Sequence, residues 1–168
     1  MKDVSTPPAD TIVLDLGPTL GFMSAVWRLN HALERTSKHM EAALGVTGQQ
    51  RMIIRIVGRY PAITAGELAR ALWIDAGTLS AALKRLEARK LVERRRSADD
   101  RRKVMLYLTP EGKTFDVPAA ATVEAAVATT LAGIPDDVAT SARQVLEALE
   151  TELNRNAPSR TASKRRAG

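Results

Sequence analysis

Residues 64–112 read TAGELARALWIDAGTLSAALKRLEARKLVERRRSADDRRKVMLYLTPEG. Thr64 and Glu67 have the spacing of a capping box, and Leu68, Ala69 and Leu72 after them lie on one side of a short helix, roughly 65–72. Trp73 and Ile74 make a tight turn, and Asp75 is a good N-cap for a longer helix reaching about Lys90. Its inward positions are Leu79, Ala82 or Leu83, and Leu86. Two helices joined by so short a turn, the second edged with Lys and Arg, form a helix-turn-helix pattern. Leu91–Arg96 and Lys103–Leu108 then read as strands, with Val104, Leu106 and Leu108 alternating with Met105 and Tyr107. The link 97–102 is polar and turn-forming. A basic hairpin directly after such a helix is a wing.

Working outward, residues 1–15 contain Pro7 and Pro8 and read as a flexible arm. A long helix follows to Leu44, with Leu16, Leu20, Met23, Trp27, Asn30 and Leu33 at three- and four-residue steps. From Gly21 to Leu44 it would be roughly 36 Å long, more than one small core covers, which predicts a partner surface. Gly45 ends it. Thr47 and Gln50 open the next helix, whose buried face is expected to be Met52, Ile53, Ile56 and Val57, and 58–61 break it. Beyond the hairpin, Thr109-Pro110-Glu111 starts a fifth helix that is expected to kink at Pro118 and run to about Leu131. Gly133-Ile134-Pro135-Asp136 restarts a sixth, with Val138, Ala142, Val145, Leu149 and Leu153 on one face. Residues 155–168 read as a disordered basic tail. The expected fold is mainly α with a small β-hairpin wing. A winged helix-turn-helix over 46–109, within a domain spanning 16–154, is flanked by dimerisation helices at 16–44 and 110–154.

The 168 residues carry a net charge of +6, unevenly spread. Residues 84–103 hold ten Lys/Arg and four Asp/Glu, and 155–168 add five basic groups and no acid, which leaves a net of −5 elsewhere. A basic stripe on an acidic body points to a polyanion. With no cysteine, disulfides and thiolate chemistry are excluded. His31 and His39 lack the partners and spacing of a zinc site, so neither metal nor cofactor is expected. No nucleophile stands beside a base and no glycine loop cradles phosphate, so the chain does not read as an enzyme. No apolar run is long enough to span a bilayer, and acids and prolines at the start are wrong for a secretory signal. A cytoplasmic protein is expected.

The order of elements resembles the MarR family of bacterial regulators. The likeness rests on 44–47 (Leu-Gly-Val-Thr), 67–69 (Glu-Leu-Ala), 83–87 (Leu-Lys-Arg-Leu-Glu), 90–94 (Lys-Leu-Val-Glu-Arg), 100–102 (Asp-Arg-Arg) and 108–112 (Leu-Thr-Pro-Glu-Gly). It covers roughly residues 20–154. The resemblance implies an obligate homodimer on a palindromic operator of double-stranded DNA, acting as a repressor and often released by a small aromatic, anionic ligand. It also implies that Arg102 is the minor-groove arginine and that Asp75 is the acid pairing with it.

The residues themselves suit that role. Ala76, Gly77, Thr78, Ser80 and Ala81 are small enough to let the fourth helix approach base edges, and Thr78 and Ser80 offer hydroxyls. Lys84 and Arg85 reach phosphate or guanine one turn on. Thr64 is placed with the contact set. Alternation sends Arg94 and Arg96 to one face of the wing, to track phosphate, and Arg95 to the other, to pair with an acid. Arg101 and Arg102 form the tip, narrow and cationic as a minor groove requires, with Asp99 and Asp100 orienting them. Asp75 serves as N-cap, as partner of the wing, or as both. For Ala76 and Ala81 the plainer reading is packing of a tight turn, and for Lys84 and Arg85 a solvated face. Trp27, Arg28 and His31, within about one turn of the first helix, would suit an anionic aromatic ligand; burial of Trp27 in a dimer core, with Arg28 on the surface, weighs more. The alternative function is a winged-helix protein-interaction module without specific DNA binding.

Overall fold

The computed structural model describes residues 14–96 and 103–156. In chain order the elements are α1 (Gly17–Leu44), α2 (Gly48–Arg59), α3 (Ala65–Leu72), α4 (Ala76–Ala88), β1 (Val92–Arg96), β2 (Val104–Leu108), α5 (Pro110–Phe115), α6 (Val123–Ala132) and α7 (Asp136–Asn156). They fall into two compact units, one reaching Val123 and one from Glu124 onward.

In the first unit both capping boxes form. Thr47 Oγ1 accepts from Gln50 N–H at 3.2 Å while Gln50 Oε1 accepts from Thr47 N–H at 3.1 Å. Thr64 and Glu67 do the same for α3. Ile53, Ile54 and Val57 of α2 meet Leu68 of α3, Leu79, Leu83 and Leu86 of α4, and Leu91, Val92 and Leu106 of the hairpin in one buried cluster. The non-polar spacing of each element aims these side chains at a common centre, and their removal from water holds the unit together.

β1 and β2 are antiparallel, with Val92 opposite Leu108 and Arg96 opposite Val104. The segment before α3 adds a short third edge: Leu106 N–H donates to Ile63 O at 2.9 Å, and Ala62 N–H to Leu106 O at 3.1 Å. The α5 start packs onto the hairpin, where Thr109 N–H donates to Leu91 O at 3.2 Å. Only a glycine fits at 112, because a Cβ there would lie 1.9 Å from the same carbonyl oxygen.

Two expectations are corrected. Met52 is 54% exposed; the buried side of α2 instead takes in Gln50, Arg51 and Ile54. The fifth helix does not continue through a kink to Leu131. It stops at Phe115, and seven irregular residues precede α6. Pro118 lacks an N–H for helix continuation, and the carbonyls freed before it are taken by α2. Arg51, 2% exposed, donates to Phe115 O at 3.0 Å and Val117 O at 2.6 Å. Arg55 Nη1 donates to both Asp116 O and Asp116 Oδ1 at 2.6 Å. The break is therefore a built junction rather than a bent helix.

Met40 is the buried residue of α1, and Leu20, Met23, Trp27 and Leu33 are exposed along it. In the second unit α6 buries nothing, and Val138, Val145, Leu146 and Leu153 of α7 are exposed. No helix among the described residues is long and apolar enough to cross a membrane. None of the described His, Asp and Glu residues group into a metal-binding cluster.

Candidate nucleic-acid interface

The inward side of α4 is Leu79, Ala82, Leu83 and Leu86, which leaves Ala76, Gly77, Thr78, Ser80, Ala81, Lys84 and Arg85 all exposed. Packing of a tight turn does not account for the small residues, since none of them is buried. A Cβ at Gly77 would meet only Asp75 Oδ1, at 3.0 Å. The result is a low, smooth helix face bordered by two cations, Lys84 and Arg85, that form no ion pair among the described residues.

The hydroxyls on this face differ in availability. Asp75 caps α4, with Oδ1 accepting from Thr78 N–H at 3.0 Å and Oδ2 from Thr78 Oγ1 at 2.7 Å. The Thr78 proton is thus committed to Asp75, whereas Ser80, two residues further, stays open to solvent. Thr64 is also engaged, its hydroxyl donating to Glu67 Oε2 at 2.7 Å and accepting from Glu67 N–H at 3.3 Å. The Thr64 backbone N–H, then its hydroxyl, hold Glu67 below the usual carboxylate range, with smaller help from Arg70 and Lys103. Lys103 lies near α3 in space, a placement that only the third-edge pairing reveals.

In β1 the arginines separate as alternation requires. Arg94 Nε donates to Glu87 Oε1 of α4 at 2.8 Å, which ties the hairpin to the helix before it. Arg96 is exposed and makes no ion pair among the described residues. Arg95, on the other face, pairs with Glu93 and lies 4.7 Å over the Tyr107 ring. Asp99, Asp100, Arg101 and Arg102 lie outside the described residues, and so does the proposed pairing of Arg102 with Asp75. Trp27, Arg28 and His31 are exposed on α1, far in sequence from this face, with His31 4.0 Å from Glu34. The structure brings Asp75–Arg85, Arg94 and Arg96 together around one helix and its hairpin; α1 contributes none of these residues.

Residues 44–103, which contain this whole arrangement, match the MarR family model. Over those residues the chain is similar to the MarR family. Among curated relatives, the organic hydroperoxide resistance transcriptional regulator of Bacillus subtilis (strain 168) is 32% identical over 80 residues, covering 45% of this chain and 54% of that protein. The HTH-type transcriptional regulator TtmR of Methylorubrum extorquens (strain PA1) is 33% identical over 89 residues, covering 53% and 46%. The chain spans about half the length of the curated relatives it matches. The S. aureus MepR–DNA complex superposes with a TM-score of 0.62 at 19% identity, covering 78% of this chain and 97% of that one. Streptococcus pneumoniae FabT in complex with DNA gives 0.59 at 21%, covering 83% and 97%. These likenesses place the chain in the winged-helix fold.

Proposed function

We propose that this chain is a homodimeric transcription regulator of the MarR family, a repressor rather than an enzyme. Each protomer lays α4 in the major groove of one half of an inverted-repeat operator in double-stranded DNA. The observation that carries the reading is the exposed small-residue face of α4, bordered by the uncommitted Lys84 and Arg85. Small side chains admit the backbone to base edges, and the cations neutralise phosphate. Arg96 extends the phosphate track along the hairpin, and the tip arginines Arg101 and Arg102 enter the neighbouring minor groove. The curated relatives are themselves named as transcriptional regulators, and two structures of the same fold are complexes with DNA. Exposed apolar side chains on α1 and α7 supply a surface for the second copy. A cytoplasmic location follows from this role.

A small aromatic acid acting at Trp27, Arg28 and His31 on α1 would relieve repression. Trp27 and His31 stand one turn apart on the same side, with Arg28 adjacent.

Footprinting across the DNA flanking the gene, with and without aromatic acids such as benzoate and salicylate, tests the reading. Paired protected half-sites about one helical turn apart are expected. Affinity falls steeply with salt, by a slope of about 0.9 per phosphate contact, and each of Lys84→Ala and Arg96→Ala lowers that slope by about one. A flat salt response would favour the protein-interaction module.

A further inference from the structure

Trp73 closes α3 in a way that is awkward for a tryptophan. Its backbone is left-handed, φ 52° and ψ 38°, the conformation in which glycine ends helices most comfortably. Trp73 N–H donates to Arg70 O and Ile74 N–H to Ala69 O, each at 3.2 Å, so the turn needs this conformation whatever residue occupies it. A bulky side chain in this region is a genuine outlier. The indole recovers little from packing, because the residue is 79% exposed and its side chain makes no hydrogen bond or ring contact among the described residues. The other exposed tryptophan, Trp27, lies on the apolar side of α1, whereas Trp73 is flanked by the exposed Arg70, Ala71 and Asp75.

Its place explains what the side chain could do. Trp73 stands two residues before the N-cap of α4, so at most about 7 Å of chain separates it from the tip of the helix. A major groove is about 12 Å wide and a helix with its side chains about 10–12 Å across. A helix entering tip-first fills that width, and whatever flanks the tip meets the sugar–phosphate wall. The indole offers one N–H donor and no acceptor, the polarity a phosphate oxygen demands, and a flat apolar face for deoxyribose.

We propose that Trp73 is a backbone-contact residue of the DNA interface, its Nε1–H donating to a phosphate oxygen and its ring lying on the adjoining sugar. This rests on the DNA-binding reading above. The strain is retained because the duplex uses the side chain, as strained backbone at functional sites generally reflects.

Trp73→Gly separates the two effects. In the full chain it relieves the left-handed strain, so Tm rises by a few degrees. It also removes the contact, so affinity for a 30-base-pair duplex carrying the footprinted site falls about tenfold, as loss of a hydrogen bond to a charged group does. Trp73→Phe, which keeps a ring and loses the N–H, falls between. In protein labelled with 5-fluorotryptophan, the fluorine resonance missing from Trp73→Gly shifts on saturation with duplex. A Trp73→Gly affinity within twofold of wild type, or a resonance unmoved by duplex, overturns the proposal. If Lys84→Ala still weakens binding in that event, only the Trp73 contact fails. Wild type that binds neither this duplex nor one of unrelated sequence sinks the contact and the DNA-binding reading together.

Discussion

Arg51 is the residue an apolar-periodicity argument is least able to foresee. It is buried on a helix side that hydrophobic spacing assigns in part to Met52, and it is there because two carbonyls more than sixty residues ahead need donors. Arg51→Leu leaves Phe115 and Val117 carbonyls unpaired and is expected to destabilise the chain by about 3 kcal/mol in urea unfolding. Gly112→Ala is expected to cost at least as much by the same measurement, since its methyl group would collide with the Leu91 carbonyl. The glycine that closes the Leu-Thr-Pro-Glu-Gly motif is thus there for packing. Glu67 gives a pH test. Its folded pKa is depressed, so its contribution is complete above the unfolded carboxylate pKa and is lost as pH falls through the lower folded value. Wild type is therefore expected to exceed Glu67→Gln in Tm near neutral pH, with the gap closing on acidification below the ordinary carboxylate pKa. A gap independent of pH would show that the carboxylate charge has no part in the cap.

The helix starts were legible at the scale of single elements because capping is local: Thr47 with Gln50, Thr64 with Glu67 and Asp75 with Thr78 need only three residues of chain. Asp75→Ala is expected to remove about 1 kcal/mol and to fray the first turn of α4, visible as faster amide exchange at Thr78. The gap between α5 and α6 was not legible, since a proline announces an interruption without saying how wide it is. Its width is set by Arg51 and Arg55 reaching across from α2. Pro118→Ala alone is accordingly expected to leave helix content by circular dichroism unchanged. A gain would mean the proline, and not the arginines, keeps the helices apart. In the candidate interface the small-residue face of α4 was readable from spacing. The commitments of the Thr78 and Thr64 hydroxyl protons to the Asp75 and Glu67 carboxylates, and of Arg94 to Glu87, were not, because each depends on rotamers or on a neighbouring element.

For the molecule as a whole, the exposed leucines, valines and methionine of α1 and α7 lead to an expected light-scattering mass of twice the chain, with a negatively charged substitution at Leu20 shifting it toward one copy. The length of the first helix was legible from its spacing, whereas the partner expected along it belongs to the proposed dimer.

The two arginines on α2 also mean that the path by which the backbone leaves the winged-helix core is dictated from inside that core. A linker that merely happened to be stiff could drift without harm; this one is bolted at three successive residues to a helix whose other side chains line the same core. Changes to that anchorage would therefore redirect the chain beyond α5 while leaving every side chain on the exposed face of α4 untouched.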